Sequence, residues 1–250
     1  MVDSERHGHL VAFNLAFEEF ELPYRWSEEE YGELLRITGG RRRIEHYLAE
    51  KGVGEEERGR LAPALHSRKS EIFSELIDEG RLEPRPGAAR LLAELTRDGW
   101  ALAVATTGSR SWVERLLHLL FGETHFDVVV TGDDVTSRKP DPEAFQVALD
   151  RLGTTAPNAV VVEDSAEGVE AARAAEMACA VVVNGYTEDH DLTGADLVLD
   201  GFGDLEAPAR VLDDPHGTGC AGILDAATLA RLLGGGQGQD GGAAGEAGGA

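Results

Sequence analysis

The sequence predicts an α/β protein in which a helical region precedes a parallel sheet. After Pro84, short apolar runs alternate with amphipathic segments, which is the pattern of βαβ units whose sheet is covered on both faces. Residues 4–82, by contrast, have helical periodicity and no strand-like run. Of the 250 residues, 42% are hydrophobic, so the chain can bury a sizeable core.

The helical region begins with Ser4, which we expect to cap the first helix. Apolar residues recur at helical spacing from Leu10 to Phe20, and Leu22-Pro23 ends this helix. Ser27 and the three glutamates after it start a second helix, because the helix dipole favours acids in the first turn. Two further helices are predicted over residues 41–51 and 55–78.

The region after Pro84 is predicted to form strands and helices in alternation. The predicted strands cover residues 100–105, 126–130, 159–162, 179–183 and 196–199, and the helices between them cover residues 87–98, 110–120, 142–152 and 166–175. Right-handed crossovers bring the C-terminal ends of such strands to one edge, where α/β enzymes have their sites. A short helix over residues 224–233 and a disordered Gly-rich tail follow.

The chain is strongly acidic, with 23 Lys and Arg against 46 Asp and Glu and a formal net charge of −23. Such a surface repels phosphates and anionic lipids, so we expect neither nucleic acid nor membrane as a partner. No run approaches the roughly 18 apolar residues of a membrane helix, and the N-terminus lacks the features of a signal peptide. Cys179 and Cys220 form no metal or disulfide motif. We expect a cytoplasmic monomer.

Polar residues follow several predicted strands, and packing of the core does not explain their presence there. Thr106 and Thr107 precede a glycine and a helix, so a hydroxyl there can donate to a phosphate oxygen near the helix N-terminus; helix capping is the alternative. Lys139 is followed by Pro140, which holds its backbone extended. Its ammonium can neutralise a phosphate or a neighbouring carboxylate, and the alternative is a solvated loop lysine.

Two adjacent acids, Glu163 and Asp164, follow the apolar strand predicted over residues 159–162. Carboxylates directly after a buried strand are costly unless they are paired or bound to a cation. Because carboxylate and water oxygens suit Mg²⁺, these two residues predict a magnesium site.

The order of these signals resembles motifs two, three and four of the haloacid dehalogenase superfamily of phosphohydrolases. The resemblance covers residues 2 to about 233. Within the superfamily, the sequence is similar to the CbbY-type sugar-phosphate phosphatases. The segments that carry it are Gly8-His9-x-x-Ala12-Phe13-Asn14, Tyr31-Gly-Glu-Leu-Leu, Thr38-Gly-Gly-Arg-Arg-Arg-Ile44, Arg85-Pro-Gly87, Ala105-Thr-Thr107 and Gly185-Tyr-Thr187.

The resemblance implies a Rossmann-like core with a helical cap that closes over the substrate. The implied divisions are a cap over residues 1–83, a core over 84–205, an extension with a short helix over 206–233 and the disordered tail over 234–250. In this family an aspartate attacks the phosphoryl group to form an aspartyl-phosphate, and a second aspartate acts as acid and base.

The resemblance also assigns roles to the candidate residues. Thr106 would hydrogen-bond the transferring phosphoryl group, and Lys139 would stabilise the nucleophile and the developing charge. Asp164 would bind Mg²⁺, with Glu163 in or beside its coordination shell. The substrate-binding candidates are Thr107 in the core and Glu5, His9, Arg41, Arg43 and Lys69 in the cap. A solvated or packing side chain is the alternative for each cap residue.

The sequence departs from the family at its first motif, Asp-x-Asp-Gly-Thr-Leu/Val, which these 250 residues do not contain. Met1 aligns with the last apolar residue of that motif, so both catalytic aspartates and the central first strand are missing. Asp3 belongs to the cap segment and is not the nucleophile. We expect a gap of roughly 10 Å in the sheet, twice the strand spacing. A start codon placed too far downstream is the interpretation that we favour.

Three functions remain open at this point. The first is Mg²⁺-dependent hydrolysis of a sugar phosphate or bisphosphate, which the resemblance suggests is xylulose-1,5-bisphosphate. The second is a sugar phosphomutase similar to β-phosphoglucomutase, because both chemistries share the same core. The third is a non-catalytic binding protein, because the nucleophile is absent from this sequence. A small phosphorylated sugar is the expected partner in the first two cases.

Overall fold

The computed structural model describes residues 1–122 and 124–235, which form two compact units. Unit 1 consists of Met1–Arg85 together with Glu114–Gly122. Unit 2 consists of Pro86–Val113 and the described residues from 124 onward. The greater part of the predicted disordered tail, residues 236–250, lies outside the described residues.

Unit 1 is helical, as its periodicity predicts. Its elements are a π-helical turn at Glu5–His9, α1 (Leu10–Glu19), α2 (Glu28–Leu34), α3 (Gly40–Glu50) and α4 (Glu55–Asp78), with the C-terminal part of α6 (Arg110–Phe121). Aromatic side chains fill the core, where Trp26 packs against Phe13, Phe17, Tyr31 and Tyr47. The Asn14 side chain holds Trp26 in place by bonding both its backbone N–H and its carbonyl.

Of the two helix N-caps predicted in unit 1, the structure confirms Ser27 and not Ser4. Ser27 caps α2 as expected, because its hydroxyl oxygen accepts from the Glu30 N–H at 3.1 Å. The prediction that Ser4 caps the first helix is wrong. Ser4 already has helical dihedral angles and makes no capping bond, and the Asp3 carboxylate accepts from the Arg6 N–H at 3.2 Å instead. The chain therefore turns into the helix one residue earlier.

Unit 2 contains the strands and the helices that cover them. Its strands are β1 (Ala103–Ala105), β2 (Val128–Val130), β3 (Val160–Glu163), β4 (Ala178–Val182), β5 (Leu197–Leu199) and β6 (Val211–Asp213). Its helices are α5 (Ala88–Arg97), the start of α6, α7 (Glu143–Leu152), α8 (Ala166–Ala174) and α9 (Ala226–Gly235). Phe145 of α7 and Val169 of α8 pack with Val161 and Val181 of the sheet. Cys179 is buried in the same cluster, as expected of a packing residue.

The strands form two sheets instead of one. β1 and β2 pair in parallel, and β3, β4 and β5 pair in parallel with β6 antiparallel at their edge. Within the described residues no pairing joins β1 to β3, which is the interruption expected from an absent central strand. The prediction of strands buried on both faces is wrong for β1. Ala103 is exposed and Val104 and Ala105 are half-buried, because β1 has a neighbouring strand on one side only.

The C-terminal segment is anchored to unit 2 by Arg90 of α5. Its guanidinium donates to the carbonyls of Phe202, Gly203 and Leu224 at 2.9 to 3.2 Å. The short helix expected over residues 224–233 is observed as α9, whereas β6 was not expected. No helix in the described part of the chain is long and apolar enough to cross a membrane.

Candidate active site

Lys139 joins the C-terminal ends of β1 and β3 in unit 2. Its ammonium donates to the Ala105 carbonyl at 3.2 Å and forms an ion pair with the Glu163 carboxylate. It also lies over the Phe145 ring, 4.6 Å from the centroid. Lys139 is only 11% exposed, so the solvated-loop alternative does not describe it. The cation lies at the edge where the sequence places the polar strand-end residues.

Glu163 is held on both oxygens. One oxygen pairs with Lys139, and the other accepts from the Asp164 N–H at 3.3 Å. Gly168 makes room for this carboxylate, since a Cβ at that residue would lie 2.1 Å from Glu163 Oε2. Ser165 caps α8 by accepting from the Gly168 N–H at 3.1 Å. The local sequence Glu-Asp-Ser-x-x-Gly therefore fixes a carboxylate pair at the start of a helix.

Thr106 extends β1 toward the same edge. Its N–H donates to the Val130 carbonyl at 3.0 Å, and its hydroxyl oxygen accepts from the Gly108 N–H at 3.1 Å. This bond closes a turn ahead of α6, which begins at Arg110, so Thr106 is not the cap of that helix. The hydroxyl proton is left to donate elsewhere. Thr107 beside it is exposed. The structure thus brings Thr106, Lys139 and Glu163 together.

Asp164 is the carboxylate that is best placed to bind a metal. Its Oδ2 accepts from the Asn184 side-chain amide at 3.1 Å, and its Oδ1 makes no hydrogen bond to the described residues. No group of three His, Cys, Asp or Glu that could enclose a metal occurs among those residues. Mg²⁺ is usually held by one or two carboxylates with water and phosphate oxygens instead of an all-protein cage. Asp164 and Glu163 fit a Mg²⁺ site of this kind, in which water and phosphate oxygens supply the other ligands.

A second cluster, within unit 1, is buried and cationic. The Lys69 ammonium lies 2.9 Å from His9 Nδ1 and over the rings of Phe13 and Phe73. Burial lowers the pKa of Lys69 to about 8, with Glu5 opposing and Arg43 adding to the shift. Burial also holds the pKa of His9 well below its usual value, assisted by the positive charges of Lys69 and Arg43. His9 is therefore neutral, and its Nδ1 accepts from the ammonium.

Arg43 and Glu5 are joined through a buried tyrosine in the same cluster. The Tyr31 hydroxyl donates to Glu5 and accepts from the Arg43 guanidinium at 3.2 Å. Arg43 also donates to the Leu34 carbonyl at 3.0 Å, which fixes its position. Four of the five predicted cap residues, Glu5, His9, Arg43 and Lys69, thus belong to one network. Arg41 does not, because it is exposed and pairs with Glu45 at 2.8 Å.

Sequence reasoning missed three polar residues of these clusters. Tyr31 was noted for the resemblance but not as part of a site. His66 lies beside Gly40, where an added Cβ would approach its ring to 3.0 Å. Asn184 follows β4, so the same strand-end signal that selected the other residues was available for it. For Tyr31 and His66 the helical pattern gave no comparable signal.

Comparison with known proteins identifies the family of this fold. The family model of haloacid dehalogenase-like hydrolases matches residues 2–176, and the chain belongs to this family. It is 38% identical over 82% of its length to the CBBY-like protein of Arabidopsis thaliana, of which it spans 66%. It is 40% identical to protein CbbY of Cereibacter sphaeroides over 79% of its own length and 86% of that protein.

A solved structure agrees with these relatives. The chain resembles the crystal structure of a mutant CbbY from Rhodobacter sphaeroides in complex with xylulose-(1,5)bisphosphate. The TM-score is 0.68 at 37% identity, over 80% of this chain and 89% of that one. The expected family and the α/β fold class are confirmed.

Proposed function

We propose that the protein is a Mg²⁺-dependent phosphatase that acts on a sugar phosphate or bisphosphate. The observation that carries this proposal is the position of Lys139, which holds the ends of β1 and β3 together beside Thr106 and Asp164. A fixed cation, a hydroxyl donor and a carboxylate at one edge are the groups that phosphoryl transfer requires.

Each residue of this edge has a separate task in the proposed reaction. The ammonium of Lys139 is held in place before substrate arrives, so it can stabilise negative charge that develops on the phosphoryl oxygens. Thr106 donates its hydroxyl proton to a phosphoryl oxygen. Asp164 would hold Mg²⁺, with Glu163 beside it to position Lys139. When bound, Mg²⁺ supplies positive charge to the phosphoryl oxygens.

The nucleophile of the proposed reaction is an aspartate of the family's first motif, which the 250 residues do not contain. We therefore propose hydrolysis through an aspartyl-phosphate for a chain that carries this motif ahead of Met1. The interrupted sheet supports the proposal, since β1 and β3 each have a strand on one side only among the described residues.

The cationic cluster of unit 1 has the charge to attract an anionic group. Arg43 and Lys69 are 8% and 7% exposed, and they carry two positive charges against the one carboxylate of Glu5. A phosphate group would neutralise the excess charge. The Rhodobacter structure contains xylulose-(1,5)bisphosphate, so we propose a sugar bisphosphate of this kind as the substrate.

Phosphate release from a panel of sugar monophosphates and bisphosphates tests the proposal. The gene is translated upstream in frame, and the extended protein is compared with the 250-residue chain. We expect Mg²⁺-dependent release by the extended protein, with a preference for a bisphosphate. Lys139→Met is expected to lower kcat by about 100-fold or more. Arg42→Ala, which alters an exposed arginine of α3, is the control with unchanged kcat.

A non-catalytic binding protein is the second candidate, and the absence of the aspartate pair from the 250 residues favours it. Binding of a sugar phosphate without turnover, by a protein whose native N-terminus is Met1, would select this alternative. Conversion of β-glucose 1-phosphate to glucose 6-phosphate would instead select the phosphomutase. No preference for a bisphosphate over monophosphates would reject the proposed substrate.

A further inference from the structure

Asn184 connects the loop after β4 to Asp164. It follows the apolar run of β4 directly and is half-buried, and its side-chain amide donates to Asp164 Oδ2 at 3.1 Å. The contact joins residues that are 20 positions apart in the sequence, so it is a tertiary contact and not a local turn.

The orientation of the Asn184 amide is fixed by its own loop. Its Oδ1 accepts from the Tyr186 N–H at 2.9 Å, which leaves the amide nitrogen to face Asp164. The backbone is held as well, because Asn184 N–H donates to the Thr187 hydroxyl and Thr187 N–H donates back to the Asn184 carbonyl, both at 2.9 Å. Thr187 is buried, so the loop presents the amide in one direction.

We infer that Asn184 is a positioning residue for a divalent cation at Asp164, an inference that rests on the proposed function. The amide occupies one oxygen of the carboxylate and fixes the rotation of the group. The second oxygen, Oδ1, is then left in a fixed direction for the cation. Partners of this kind around a metal ligand commonly change metal affinity by about 10- to 100-fold when they are removed.

Mn²⁺ binding to the 250-residue chain tests this inference by electron paramagnetic resonance of the free ion. The acidic surface will bind Mn²⁺ elsewhere, so the affinity of interest is the part that Asp164→Asn removes. We expect Asn184→Leu, which keeps the shape of the side chain but removes the donor, to weaken that part about tenfold. The melting temperature is measured for every variant to confirm folding.

Asn158→Leu is the matched control, because it makes the same substitution at an exposed asparagine whose amide bonds to Thr155. We expect it to bind Mn²⁺ within about twofold of the wild type. Asn184→Ala serves as a second variant if the leucine is not accommodated.

Three results would overturn the inference. Wild-type Mn²⁺ affinity in the Asn184 variants would show that the amide does not contribute to binding. An equal loss in Asn158→Leu would show that the loss does not depend on the contact with Asp164. Unchanged binding in Asp164→Asn would place no cation at Asp164. Failure of the extended protein to release phosphate, with the Mn²⁺ results as expected, would reject the proposed function alone.

Discussion

Lys139 and Glu163 form an ion pair whose side chains are only 11% and 9% exposed. Removing one partner of a buried pair leaves an uncompensated charge away from water, at a typical cost of 3–5 kcal/mol. We therefore expect Lys139→Met to lower the free energy of unfolding by about 3 kcal/mol, measured by urea denaturation. The double variant Lys139→Met, Glu163→Gln should lose less of its free energy of unfolding, because no uncompensated buried charge remains. Equal losses in the two proteins would contradict this reading.

Lys69 gives the stability a dependence on pH. Its pKa in the folded protein is about 8, against 10.5 as the ordinary value, because burial disfavours the charged ammonium. The unfolded chain therefore binds more protons between these values, so the cost of burying the charge falls as the pH rises. We expect this residue to add about 3 kcal/mol to the free energy of unfolding between pH 8 and 10.5.

Urea denaturation across this pH range measures the effect, and Lys69→Met is the reference, because methionine keeps the aliphatic length without the charge. The difference in the free energy of unfolding between the wild type and Lys69→Met should change with pH only above about 8. A constant difference from pH 7 to 10.5 would contradict the lowered pKa.

At the residue scale, the sequence could predict those site residues whose polarity conflicts with their neighbours. Glu163 and Asp164 stand out because they follow an apolar run, and the structure brings Lys139 to Glu163 at the same edge. Tyr31 could not be assigned in this way, because a tyrosine on a helix is an ordinary packing residue. Its role depends on Glu5 and Arg43, which only the folded helices bring to its hydroxyl.

Helix α8 contains a glycine, Gly168, at a position that has no room for a side chain. A Cβ at Gly168 would meet Glu163 at 2.1 Å, and Glu163 cannot withdraw freely because Lys139 holds it. We expect Gly168→Ala to lower the free energy of unfolding by about 1–3 kcal/mol. Gly59→Ala is the control, because Gly59 lies in α4 with nothing within 4 Å of an added Cβ.

The control variant should raise the free energy of unfolding by up to about 1 kcal/mol, as expected for alanine in an exposed helix. Both changes are measured by urea denaturation under the same conditions. If Gly168→Ala stabilised the protein as Gly59→Ala does, the close approach of Glu163 to α8 would be wrong.

At the element scale, helices with an apolar face and strands with a buried run were predictable, and β6 was not. Val211–Asp213 is exposed throughout and only three residues long, so no burial pattern reveals it in the sequence. It forms because β5 offers it an edge, which is a tertiary cause. The first helix shows the same limit, since Asp3 and Ser4 are both good capping residues and only the chain direction selects Asp3.

The net charge of −23 acts on the molecule as a whole. Like charges repel one another more strongly in the compact state than in the unfolded chain, and salt screens that repulsion. We expect the melting temperature to rise as NaCl increases from about 0.02 to 0.3 M, with most of the rise complete by then. A general solute effect would instead grow steadily to higher concentrations. A melting temperature that falls with salt would contradict the prediction.

The edges of β1 and β3 that pair with no strand among the described residues have a consequence for the protein in concentrated solution. An unpaired strand edge is a template to which a strand from another molecule can add, and this is a common start of aggregation. Both strands carry apolar residues, so pairing with another molecule would also bury hydrophobic surface. The acidic surface then keeps neighbouring molecules apart, and conditions that neutralise it should turn a dispersed protein into an aggregating one.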